Sequence, residues 1–277
     1  MIIDGKVTKE QFYIFINDII KYLSKYINTK NIERKFYEAE YILTDKYNND
    51  IIVGEKIYSK EKVEKYTGIT KFPNIQNFFG FESSSPICLV RNLPNDQEFL
   101  KNIMFHELMH VGSSEQEVIS RKKLVFKAGL FKIIYNSNFS NYVSNYYRYL
   151  NEAMTELTAK FIYDKIYDDN YKIVNFKDEE CITGIYGKSY FLLAFLLLNY
   201  FEDHPDILFN IYFNNNIKLF EKVLKKNTKF NLEKLNEQII SFQQNPYDLD
   251  DKYRKIIKEI NDKNPLKNKD VIYQYNL

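Results

Sequence analysis

The sequence predicts an α+β chain in two lobes, a small mixed sheet with helices in the N-terminal lobe and a mainly helical C-terminal lobe. Three observations carry this. Short runs rich in β-branched and aromatic residues alternate with amphipathic stretches through the first half. From about Leu150 onward, apolar residues recur mostly at helical spacing. The 277 residues suffice for one sizeable core or two lobes sharing a cleft, and neither an internal repeat nor a low-complexity linker divides them. A single domain of 1–277 is expected, with approximate lobes 1–115 and 116–277.

The elements follow in order. Thr8 and Gln11 have capping-box spacing, and Phe12, Phe15, Ile19, Tyr22 and Leu23 recur at helical intervals after them. A second helix is expected from residue 31 to about 46. Residues 51–58 and 86–91 read as short strands, with a small helix from Ser59 ending near Gly68. Asn95 is a good N-cap and Glu98 stands three residues on. The helix they open should run to about Val111 and stop at Gly112. Residues 124–135 read as two strands turning near Gly129. Helices are expected at about 150–166, through the apolar run 191–198, and between 206 and 260.

Composition removes several function classes. Lys+Arg (39) and Asp+Glu (37) nearly cancel, which argues against a general nucleic-acid binder. A 45% hydrophobic content is too high for a disordered chain. The 24 tyrosines support no ligand argument, because Asn, Lys, Ile and Phe are abundant too and all share AT-rich codons. Cys88 and Cys181 form no CxxC, so they read as free thiols and not as a zinc cluster or disulfide framework. No secretory signal is visible, and the longest apolar stretch falls far short of the roughly 20 residues of a membrane span. The chain reads as cytoplasmic; one whose leader had been removed, and which was therefore secreted, would look the same.

Only three histidines occur, and two of them fall in His106-Glu107-Leu108-Met109-His110 on the helix opened by Asn95. Residues i and i+4 share a helix face, so both imidazoles can reach one metal ion, while Glu107 projects beside them as general base toward a metal-held water. With three His and 21 Glu, chance would produce HExxH in roughly 0.2% of shuffled chains. Neutral imidazoles suit zinc, one ion per chain, and a catalytic zinc needs a third protein ligand. The metzincin solution is excluded: Gly112 is one place early, and Gln116 stands where the third histidine should be. No His or Cys follows nearby, so a carboxylate is expected. Glu152 and Glu156, again i and i+4, are the best candidates; the competing reading is a solvated acidic pair near a helix start.

At Asn151-Glu152-Ala153-Met154-Thr155-Glu156, taken with HExxH, the chain resembles the gluzincin zinc metallopeptidases, the thermolysin-like group. The resemblance covers roughly residues 86–165 and implies a zincin-like fold with the active-site helix in the N-terminal lobe. It also implies that Glu152 is the third zinc ligand and that Glu156 orients a ligand histidine, His106, through its ring N–H. The interval from His110 to Glu152 is longer than in the thermolysin type, and residues 123–147 are expected to form an inserted hairpin. Gluzincins also supply an oxyanion donor from the helical lobe; Tyr186 and Tyr190 are the candidates, with Tyr190 expected to open the most apolar helix.

The expected function is a zinc-dependent peptidase, an endopeptidase, acting on a peptide or protein substrate with no nucleic-acid partner and no membrane span. Two alternatives stay open: a catalytically silent zinc-binding protein that recognises a partner, and a toxin-like effector protease with one narrow target. Residues 86–91 also allow two readings, an edge strand to which an extended peptide adds or an interior strand.

Overall fold

Helix α1 (Lys9–Leu23) begins at the expected capping box. The Thr8 hydroxyl accepts from the Gln11 amide at 3.1 Å, and the Gln11 side chain accepts from the Thr8 amide at 2.9 Å. The inward face is Phe12, Ile16, Ile19, Tyr22 and Leu23, all buried, with Phe15 half-buried beside it. Burying each such side chain is worth about 1.5–3 kcal/mol, which fixes the helix more firmly than its propensity does. The computed structural model describes residues 2–3, 8–44, 51–53, 56–58, 68–71, 87–91, 97–120, 123–136, 142–167, 185–228 and 230–244. It divides into two compact units, Met1–Ser114 and Glu115–Leu277.

In the first unit, α2 (Lys30–Glu38) is shorter than the expected helix of 31–46. Ala39 is extended, and residues 40–44 form strand β2 (Glu40–Thr44). The aromatic and β-branched run of Tyr41, Ile42 and Thr44 suits a strand that is paired on both sides. Tyr41 is buried and its hydroxyl donates to the Phe36 carbonyl at 2.7 Å, satisfying one of the carbonyls left open at the end of α2. Its ring meets Phe12 edge-on, with centroids 4.6 Å apart.

β2 lies between β1 (Ile2–Ile3) and β6 (Ile87–Arg91), parallel to both, and β5 (Gly68–Lys71) runs antiparallel to β6 on its far side. The sheet is therefore mixed, as expected. β6 is an interior strand: Cys88 pairs with Tyr41 on one side and Thr70 on the other. The edge-strand reading of residues 86–91 is thus overturned, since both its ladders are already used. Residues 51–58 are a two-stranded hairpin, β3 (Ile51–Val53) with β4 (Lys56–Tyr58), and not one strand. The helix expected at 59–68 lies outside the described residues except for Gly68, which opens β5. Helix α3 (Gln97–Ser113) packs on β5, β6 and α2. Asn95, its expected N-cap, also lies outside the described residues.

The second unit opens with a four-stranded sheet in the order β10-β9-β8-β7, made from β7 (Ser114–Ser120), β8 (Lys123–Ala128), β9 (Phe131–Asn136) and β10 (Tyr142–Tyr146). The expected strand pair is β8 and β9, closed by Gly129 and Leu130 with Ala128 opposite Phe131. Gly129 has φ +57° and Leu130 is not among the positive-φ residues, as a two-residue turn with glycine first demands. The insertion expected at 123–147 is three strands, β8, β9 and β10, and not a simple hairpin, and β7 was not expected, so this part is less purely helical than its apolar spacing suggests.

Helix α4 (Arg148–Tyr167) matches the expected 150–166. It is buried nearly all round, from Leu150 to Tyr163, and only Glu152 and Glu156 interrupt that stretch as half-buried positions on one side. It packs against α5 (Ile185–Asp203), α6 (Pro205–Phe213) and α8 (Leu232–Gln244), and α5 also contacts α7 (Ile217–Asn227). Phe161 of α4 meets Phe209 of α6 edge-on at 5.9 Å. The expected helices between 206 and 260 are α6, α7 and α8 as far as residue 244. No helix among the described residues is long and apolar enough to cross a membrane.

Candidate metal centre

His106 and His110 stand one turn apart on α3, in a stretch of the helix that is largely buried. Met104, Phe105, Leu108, Met109 and Val111 are essentially inaccessible, and Phe15 of α1 meets Phe105 edge-on at 6.3 Å. Glu107 (5% exposed) and His110 (7%) are buried with them, while His106 is half-buried. Burying a carboxylate and an imidazole together is costly unless they are paired or bind a metal.

The end of α3 differs from the sequence expectation. The helix passes through Gly112 and stops at Ser113, and side chains satisfy the carbonyls that its last turn leaves open. The Ser113 hydroxyl donates to His110 O at 3.3 Å, Ser114 to Val111 O at 2.8 Å, and the Lys35 ammonium to Gly112 O at 3.3 Å. A cation there also opposes the negative end of the helix dipole. The two serines following the motif were a local signal that sequence reading passed over. Lys35 lies 77 residues away and could not have been found from spacing.

The two imidazoles face each other. Their Nε2 atoms are 3.2 Å apart and the rings are inclined at 74°. An ion about 2.0–2.1 Å from each nitrogen would see them at about 100–106°, close to the tetrahedral angle. One ligand atom from each of His106, His110 and Glu152 lies within 4.8 Å of the other two, and this group could hold a metal ion. Two neutral imidazoles and one carboxylate fit zinc; the same donor set also serves ferrous iron.

Around Glu152 the second unit supplies further order. The Glu156 carboxylate sits 3.2 Å from the Lys160 ammonium, one turn on. Lys160 is itself buried, and its ammonium lies 4.8 Å from the centre of the Tyr190 ring. Sequence reading missed Lys160, although Glu before Lys at i,i+4 is a favourable helical pair. Tyr190 stands in the second turn of α5, not at its start, and is 3% exposed. Tyr186 lies in the first turn of α5. His204, the third histidine, is exposed just before Pro205 at the start of α6.

The other residues of the acidic motif have structural work. The Asn151 carboxamide oxygen accepts from the Leu130 amide at 2.9 Å. The Thr155 hydroxyl donates to Asn151 O at 2.8 Å and shares a 2.7 Å hydrogen bond with the Tyr212 hydroxyl. No protein-family model matches the chain, and neither does any curated protein or solved structure.

Proposed function

We propose that the chain is a zinc-dependent peptidase of gluzincin type, with a zincin-like first unit, that hydrolyses peptide bonds in a peptide or protein substrate. The observation that carries this reading is the buried HExxH helix whose two imidazole nitrogens stand at a tetrahedral edge length, with Glu107 buried beside them. The mixed sheet against which α3 packs supports the fold assignment. Glu107 favours zinc over iron, because a hydrolytic centre needs a base at that place and an oxygen-activating one does not.

His106, His110 and Glu152 are the ligands. Zinc bound there would polarise the scissile carbonyl and acidify water to a pKa of about 7. Glu107 takes the proton from the attacking water and delivers it to the leaving amine. Glu156, held by Lys160, orients His106 and so fixes its tautomer. A tyrosine hydroxyl of α5, Tyr190 or Tyr186, donates to the developing oxyanion.

The test is an unbiased peptide-library digest with zinc-loaded wild type and Glu107→Gln. Wild type should cleave, and Glu107→Gln should keep its zinc and lose turnover. Full activity in Glu107→Gln refutes the mechanism. No cleavage by zinc-loaded wild type means a silent zinc-binding protein, and cleavage confined to one motif means a narrow-target protease.

A further inference from the structure

Asn151 precedes the third ligand in sequence and takes no part in the chemistry above, yet it is 3% exposed and hydrogen-bonded through its amide, its carbonyl and its carboxamide oxygen. Its amide donates to the Tyr147 carbonyl at 2.8 Å, so it belongs to the first turn of α4. Its side chain reaches across to the β8–β9 turn. In that turn Leu130 is buried at 1% exposure, and its amide needs a partner within the protein. The Asn151 oxygen is that partner.

The turn is pressed onto the helix as closely as glycine allows. A Cβ at Gly129 would lie 2.3 Å from Asn151 Oδ1 and 2.5 Å from Tyr212 Cε2. Tyr212 in turn bonds Thr155, which bonds the Asn151 carbonyl. The turn, α6 and the first two turns of α4 thus share one buried polar cluster, which brackets Glu152 along the helix on both sides. Helical geometry puts the Asn151 and Glu152 side chains about 100° apart, so one can lock into the turn while the other stays available to a ligand.

We propose that Asn151 is a positioning residue for Glu152: by clamping the β8–β9 turn to the start of α4, it fixes where the Glu152 carboxylate stands on its unit. This rests on reading Glu152 as a metal ligand. The β8–β9 hairpin is then the support of the third ligand and not a peripheral insertion.

The experiment compares full-length wild type with Asn151→Leu, which keeps volume and removes the acceptor, and Thr158→Val. Thr158 is buried on the same helix, but its hydroxyl bonds only locally, to Met154 O at 2.8 Å. Zinc affinity by competition with a chromogenic chelator and amide exchange are read for each, well below the unfolding temperature. Asn151→Leu should lose about 10- to 100-fold in zinc affinity, as supporting partners of metal ligands do, with faster exchange at Leu130 and at residues 152–156. Thr158→Val should stay within about twofold of wild type, since its loss leaves the clamp intact. Wild-type affinity and unchanged exchange at 152–156 in Asn151→Leu would overturn the proposal. If wild type takes up no zinc, the metal reading fails, and exchange at 152–156 still decides whether Asn151 holds the Glu152 turn.

Discussion

Replacing Gly129 with alanine should be among the most damaging single-methyl additions in the second unit. Two costs arise together. A residue with a Cβ held at φ +57° pays about 1–2 kcal/mol. The new methyl would also overlap Asn151 Oδ1 and the ring of Tyr212. Tyr212 is fully buried and cannot swing away, and Asn151 can do so only by leaving the Leu130 amide unpaired. Overpacking of this kind costs about 1–3 kcal/mol, and an abandoned buried N–H a similar amount. Because relieving one strain incurs another, the expected destabilisation is about 3–5 kcal/mol, or a Tm lowered by roughly 6–20 °C for a chain of this size. Thermal unfolding followed by circular dichroism and a urea titration would measure it. Gly129→Asn separates the causes: asparagine tolerates a positive φ, so it should be mild if backbone conformation alone matters and as harmful as alanine if the close approach does. A Tm within about 2 °C of wild type for both variants would refute the described contact between turn and helix.

Three further outcomes are expected. Thr8→Ala removes the hydroxyl that accepts from the Gln11 amide, one of the two halves of the α1 capping box, and should cost about 1 kcal/mol, seen as a lower urea midpoint at unchanged m-value. Lys35→Met should cost up to about 1 kcal/mol and speed amide exchange selectively in the last turn of α3, because the Gly112 carbonyl loses its cation. Glu152→Ala should preserve the circular dichroism spectrum while weakening zinc binding beyond the roughly 10–100-fold expected for an outer partner; retained wild-type affinity on calorimetric titration would remove Glu152 from the ligand set.

Much of the candidate centre was legible because its determinants are local. The i,i+4 histidines, the neighbouring Glu107, the i,i+4 glutamates and the Thr8–Gln11 box are all set by helix geometry, which spacing reveals directly. Gly129 was legible as a turn for the same reason. What escaped depends on distant partners. Residues 40–44 look like a continuation of α2 until β6 is present to pair with them, and that strand comes more than 40 residues later. The interior position of β6 follows from β5, a strand of only four residues that opens on Gly68, which reads from sequence as the end of a helix. Lys35 capping α3 and Asn151 holding the Leu130 amide join residues 77 and 21 apart, through side chains whose reach no periodicity encodes. Asn151 was recognised only as part of a motif, and its use in supporting the hairpin turn became visible from the hydrogen bond.

The central claim is that His106, His110 and Glu152 together hold one zinc ion. Anomalous scattering collected on both sides of the zinc absorption edge, from crystals of the zinc-loaded full chain, tests it most directly. One peak per chain is expected, about 2.0–2.1 Å from both imidazole Nε2 atoms and about 2.0–2.2 Å from a Glu152 oxygen. A peak ligated by Glu115 or Glu117 in place of Glu152, or no peak at the two histidines, would contradict it.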